Sequence, residues 1–157
     1  MIVHAWRIDK IKWAATTFSG ECARLYGGRW NSPARPMVYT SEHPALAALE
    51  ILVHAIPEKL LLWAYCVIEA KFDETLIDDL KKKDLPNDWA ADPVPKSTQG
   101  LGDTWLASKD SKPVLRVPSA VVSGTFNYLI NPLHAHFRRI RTEKPKPFRF
   151  DPRLGKK

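Results

Sequence analysis

An α+β fold in a single domain is what the sequence predicts. Three observations predict it: short β-rich segments recur along the chain, few segments carry helical periodicity, and 157 residues fit one domain with a proper core. No internal repeat and no interdomain linker breaks the chain, so the domain is read as 1–157.

Residues 2–8, Ile-Val-His-Ala-Trp-Arg-Ile, alternate loosely and predict a first strand. Residues 19–36 are rich in Gly, Ser, Pro and Arg and predict a structured loop closed by Pro36, before a short strand Met37-Val38-Tyr39-Thr40. Ser41-Glu42-His43-Pro44 reads as a helix start, with Ser41 as cap and Pro44 in the first turn. The helix over 44–56 is apolar nearly all round, which predicts burial on most sides. Its polar exceptions after the first turn, Glu50 and His54, are four apart and share a face, and Pro57 helps to stop it.

Residues 61–72 predict a central strand, and 73–83 a short acidic-then-basic helix. The Pro, Gly, Asn and Asp of 85–102 mark a long loop, and 103–111 a short helix carrying Trp105 and Leu106. Residues 114–122 predict a strand interrupted by Pro118, hence an edge or a bulge. The apolar–basic alternation of 137–141 and 147–151 offers one or two final strands.

Bulk composition narrows the classes. Hydrophobic residues at 45% and charged residues at 26% describe an ordinary soluble globular chain. No apolar run approaches the roughly 18 residues that span a bilayer, so no membrane association is expected. Cys22 and Cys66 lack CxxC spacing, and Met1-Ile2-Val3 is followed at once by polar residues; both fit the cytoplasm. The net charge of +7, concentrated in 138–157 and Lys81–Lys83, fits a solvated surface, a phosphate-bearing ligand, an acidic protein partner or nucleic acid.

The candidate chemistry lies in four places. Arg29 follows Gly27-Gly28, which lets a ligand approach, and its planar fork suits a phosphate or a carboxylate; it could equally pair with Glu50 or Asp9. Tyr39 alternates with Val38 on its strand. Glu50 is a carboxylate in an apolar helix, costly unless a cation or a substrate answers it. Ser119 is a hydroxyl at a strand irregularity, with no nucleophile-elbow Gly-x-Ser-x-Gly around it. Asn127 and Asn131 are turn-compatible. His134 and His136 have no third ligand at a familiar spacing, so no metal is expected. Neither a Walker loop nor a dinucleotide fingerprint is present.

The segments Gly28-Arg-Trp-Asn-Ser-Pro-Ala-Arg-Pro-Met-Val-Tyr-Thr-Ser, Ala-Leu-Glu-Ile-Leu-Val-His54, Leu115-Arg-Val-Pro-Ser-Ala-Val-Val and Asn127-Tyr-Leu-Ile-Asn-Pro-Leu-His134 together resemble the RES domain. The resemblance runs from Trp6-Arg7-Ile8 to Phe150-Asp151-Pro152-Arg153-Leu154, departing at Ala135, where the family often has a proline. It implies an ADP-ribosyltransferase-like split β core with flanking helices around an NAD cleft. It also implies a toxin of a toxin–antitoxin system that degrades NAD by hydrolysis or phosphorolysis, or that ADP-ribosylates a protein. NAD is then a substrate. The implied partner is an Xre-type helix-turn-helix antitoxin that covers the cleft, with DNA reached only through it. The family's arginine, glutamate and serine correspond to Arg29, Glu50 and Ser119. Arg29 would bind the phosphates or a ribose hydroxyl, Tyr39 stack on nicotinamide, and Ser119 hydrogen-bond the ribose or carboxamide. Asn127 and Arg7 follow as further binding candidates. Glu50 is expected either to stabilise the ribosyl cation or to orient Arg29. A reading from a different class, a basic RNA-binding toxin, rests on the charge alone and lacks an RNP-like aromatic motif.

Overall fold

The structure, a computed structural model, describes residues 1–155. Its longest ladder joins β1 (Ile2–Lys10) and β3 (Tyr65–Asp73), antiparallel over every residue of β1. The register alternates: Ala5 and Ala70 are fully buried on one face, while Ile8 and Val67 face the other. β2 (Val38–Ser41) pairs with β6 (Phe126–Ile130), β6 with β5 (Val114–Pro118), and β5, in parallel, with β4 (Ile77–Asp79). β7 (Arg141–Thr142) and β8 (Lys146–Phe148) both lie against β3. The two groups meet at one register pair among the described residues, Trp6↔Ser41 between β1 and β2. The eight-stranded sheet is therefore split along that seam.

One face of the sheet is sealed by Ala5, Val38, Phe72, Val114, Tyr128 and Ile130. The other carries two separate covers. Trp30, Met37 and Trp105 pack on Leu115, Val117 and Leu129, bringing α1 (Glu21–Tyr26) and α4 (Lys96–Ala107) over the β5–β6 half. Ala47, Leu60 and Phe150 pack on Ile8 and Tyr65, bringing α2 (Pro44–Leu52) and α3 (Pro57–Leu60) over the β1–β3 half. Between the covers runs a cross-strand row of one facing: Val117, Asn127, Ser41 and Trp6.

Several expectations are corrected. The 19–36 loop contains α1, which starts after the left-handed Gly20 (φ 76°). The helix expected over 44–56 ends at Leu52; its cap is the His43 imidazole, which accepts from the Ala45 amide at 3.1 Å, while Ser41 remains in β2. Nor is that helix buried on most sides. Only Leu46 and Ala47 are buried, whereas Leu49 is 41% and Val53 56% exposed. The strand expected over 61–72 starts at Tyr65, leaving Leu61, Leu62 and Trp63 exposed.

No α-helix forms over 73–83. The Asp73 carboxylate accepts from the Thr75 amide and closes a single turn, after which Ile77–Asp79 joins the sheet. α4 begins at Lys96, seven residues before the helix expected at 103. The strand through Ser119 stops at Pro118, and the run from Phe126 to Ile130 forms a strand where Asn127 suggested a turn. At the end, 137–139 form a single turn, and the final strands shrink to β7 and β8.

Candidate active site

Glu50 projects from the last turn of α2 across the split. Its Oε1 accepts from the Ser119 hydroxyl at 2.8 Å and from the Asn127 amide nitrogen at 2.6 Å. The Asn127 carbonyl oxygen in turn accepts from the Ser41 hydroxyl at 2.7 Å. Ser119 is itself fixed, because its Oγ accepts from the amides of Val121 and Val122 at 3.1 and 3.2 Å. The turn after Pro118 that broke the expected strand is what aims this hydroxyl at α2. Every partner in the chain thus has a defined donor or acceptor role.

The carboxylate is half-buried, and Oε2 has no hydrogen-bond partner among the described residues while remaining reachable by solvent. One oxygen anchors the side chain and the other is open to solvent. Both of its donors, Ser119 and Asn127, are neutral, so no cation in the chain is paired with this carboxylate among the described residues.

Arg29 is presented by a loop with its own supports. Gly27 takes φ 71°, a left-handed turn that favours glycine, and a Cβ on Gly28 would lie 2.5 Å from the Tyr39 hydroxyl oxygen. That hydroxyl donates to the Asn31 side-chain oxygen at 2.7 Å and accepts from the Trp30 amide at 3.0 Å. Burial pushes the phenol well above its ordinary range, so it stays a neutral donor. The fully buried Asn31 amide donates to the carbonyls of Ala23, Ser32 and Arg35. α4 clamps the loop from the other side: Gln99 donates to the Gly28 carbonyl, Asp103 accepts from the Ser32 amide, and Gly102 lies directly under the Trp30 carbonyl. Finally, Arg29 Nη1 donates to the carbonyls of Trp89 and Ala91 at 2.8 and 2.9 Å. Its Nε and Nη2 edge, the fork that grips phosphate, is unengaged among the described residues.

The structure therefore brings Glu50, Ser119 and Asn127 into direct contact, adds Ser41, and holds Arg29 on a separately braced loop. No ion pair joins Arg29 to Glu50 or Asp9. The hydroxyl of Tyr39 is committed to the Arg29 loop. Arg7 lies apart from the group. Alternation places it on the face opposite Trp6, and its nitrogens are spent on Thr17 (2.6 Å), the Tyr39 carbonyl (3.0 Å) and Asp9 (3.3 Å). There it braces β1 to β2 where the two strands part. Both ring nitrogens of His134 are committed, to the Ser111 carbonyl and the His136 amide. Among the described residues no cluster of His, Cys, Asp or Glu could hold a metal ion.

The RES domain model matches residues 4–151. The chain belongs to the RES domain family. Among RES relatives, it is 36% identical to a Toxin Res of Yersinia enterocolitica over 95% of this chain and 97% of that one. It is 34% identical to a Prs ADP-ribosylating toxin of Sphingobium sp. over 100% and 99% of the two chains. The toxin–antitoxin complex of M. tuberculosis MbcT and MbcA contains a chain of the same fold, with a TM-score of 0.75 at 22% identity, covering 99% of this chain and 87% of that one. The α+β RES fold expected from the sequence is thus the fold observed. The sequence offers Ser41 only as a helix cap and gives no site role to Asn31, Gln99, Gly102 or Asp103; a serine in a strand or a glutamine in a helix carries no signal of its target.

Proposed function

We propose that this RES chain is the toxin of a toxin–antitoxin pair and that it cleaves the bond between nicotinamide and ribose in NAD. The observation that carries the reading is the Glu50 carboxylate, anchored through one oxygen by Ser119 and Asn127 with the other left open. Breaking this bond develops positive charge on the ribose, while the pyridinium leaves as neutral nicotinamide. No general acid is required, unlike ordinary glycoside hydrolysis with its two carboxylates. A single fixed anion beside the anomeric carbon stabilises the developing cation.

Arg29 holds the pyrophosphate through its Nε–Nη2 edge. Ser119 and Asn127 hold the carboxylate in place, and in the complex their remaining capacity reaches the ribose. Water, or inorganic phosphate in its place, adds to the anomeric carbon and yields ADP-ribose or its 1″-phosphate, with the proton lost to solvent. A second reading, transfer of ADP-ribose to a protein, is favoured by one observation: the name of the Sphingobium relative. Mass spectrometry of NAD incubated with the protein, with and without phosphate, tests the proposal. Free nicotinamide with ADP-ribose or its phosphate is expected; intact NAD in both mixtures would overturn it, and mass added to a protein would select the second reading.

The partner we infer is a helix-turn-helix antitoxin of Xre type that covers the cleft and carries the only contact with DNA, in the cytoplasm. The support is a set of exposed apolar side chains on the segments that follow Glu50: Leu49, Val53 and Ile56, then Leu61, Leu62 and Trp63. Co-expression of Val53→Glu/Leu62→Glu with the product of the adjoining gene checks it. The wild-type chain is expected to form a stable, inactive complex and the double variant to lose it by more than about tenfold; an unchanged complex would place the contact elsewhere.

A further inference from the structure

A cavity of about 520 Å³ opens at the other end of the strands that carry the candidate site. β5 runs from Val114, next to this cavity, to Pro118, next to Ser119, and β6 returns from Asn127 to the turn bearing His134 and His136. At about 3.3 Å per residue the two sites lie roughly 20 Å apart along the strand.

The walls are pre-set. His134 must carry its proton on Nε2, because Nε2 faces the Ser111 carbonyl at 2.8 Å and Nδ1 faces the His136 amide at 3.0 Å. That ring ties the 108–113 turn to the 134–139 turn, and the Asn131 amide donates to the Pro113 carbonyl below them. Leu76 and Pro113 form an apolar floor.

Into this frame project Lys109, Lys112, Arg139 and His136, against the single carboxylate of Asp110. Several cations elsewhere have ion-pair partners, among them Arg7 with Asp9, Arg24 with Glu21, Lys71 with Glu143 and Arg116 with Asp79. The cations of this cavity belong to the unpaired set, and what distinguishes them is that they line one hollow together. No side-chain hydrogen bond or ion pair among the described residues engages the Lys109 ammonium, the Arg139 guanidinium or the His136 ring, while Lys112 Nζ is steadied by the Ile77 carbonyl at 3.0 Å. Like charges gathered in a concave, part-apolar wall raise the local concentration of anions. An arginine fork with two lysines suits phosphate oxygens. The volume falls within the roughly 300–1,000 Å³ of small-molecule sites and exceeds what a bare orthophosphate needs.

We propose that this cavity binds the phosphate groups of a small phosphorylated molecule, with a nucleoside polyphosphate and free pyrophosphate as the two sources of that chemistry. The site is separate from the NAD cleft and stands whether or not the reading of that cleft does.

The full-length protein is titrated with ATP and, separately, with inorganic pyrophosphate, while the imidazole resonances of His136 are followed by NMR beside those of His4 and His43 on the cleft side. Saturable movement of His136 is expected with both ligands. Tighter binding of ATP would show that the nucleoside part contributes, and equal binding that the phosphates alone are read. Lys109→Ala/Arg139→Ala should weaken either ligand by about tenfold or more, with His134 unshifted as the sign of an intact turn and NAD cleavage unchanged. A silent His136 at millimolar ligand, movement confined to His4 and His43, or equal affinity in the double variant would each overturn the proposal.

Discussion

Replacing Glu50 by glutamine is expected to reduce nicotinamide release from NAD by about a hundredfold to a thousandfold, the scale on which loss of one pre-organised electrostatic group acts. The substitution is nearly isosteric. A glutamine Oε1 still accepts from Ser119 and Asn127 at the positions now held at 2.8 and 2.6 Å. What disappears is the negative charge, so the thermal midpoint should move little while kcat collapses. If Glu50 instead served only to hold Ser119 and Asn127, glutamine would keep that work and most of the activity with it. Nicotinamide release measured beside a melting curve separates the two outcomes.

The second large effect is expected at a position that does not itself touch NAD. Alanine normally favours a helix over glycine by about 1 kcal/mol, so Gly102→Ala in the middle of α4 would ordinarily stabilise. Here a Cβ at Gly102 would stand 1.6 Å from the Trp30 carbonyl oxygen and 2.7 Å from its carbon, both backbone atoms of the Arg29 loop. Either the helix or the loop has to move. Overpacking of this kind costs about 1–3 kcal/mol or more, which for a chain of this size lowers the melting temperature by roughly 2–4 °C per kcal/mol. Because the displaced backbone is joined to Arg29, KM for NAD should rise beyond what lost folded protein explains. A Gly102→Ala chain that melts higher and cleaves NAD at the wild-type KM would show that α4 does not set the Arg29 loop.

These two positions show what could be read from the chain and what could not. Glu50 stood out because a carboxylate in an apolar helix demands an explanation, and Arg29 because a glycine pair precedes it. The α+β class and RES membership were legible from separated motifs in the right order. The supports of Arg29 were not. Its fixed partners are the backbone carbonyls of Trp89 and Ala91, about sixty residues on, and a carbonyl leaves no trace in a residue type. α4 reads shorter in the sequence than it is because Gly100 and Gly102 look like breakers; Gly102 is instead a place where backbone must come close. Phe126–Ile130 gives no clear strand signal because Asn127 and Asn131 are turn-compatible, although the Asn127 side chain reaches from the sheet to Glu50.

The apolar helix around Glu50 misled in a more instructive way. Composition gives hydrophobicity but not what covers it, and Leu49 and Val53 are exposed where burial was expected. The same residues that suggested a core helix are the ones that suit a partner. For Tyr39 the sequence reads the ring but not the hydroxyl, which joins Asn31 to the Trp30 amide and so holds the Arg29 loop.

The most direct test of the account is a crystal structure of the Glu50→Gln chain with NAD bound. The account predicts the nicotinamide ribose in the split between β1 and β2, its anomeric carbon facing residue 50 and the pyrophosphate on Arg29. Dinucleotide bound elsewhere on the chain, or bound in the split with the ribose turned away from residue 50, would contradict it.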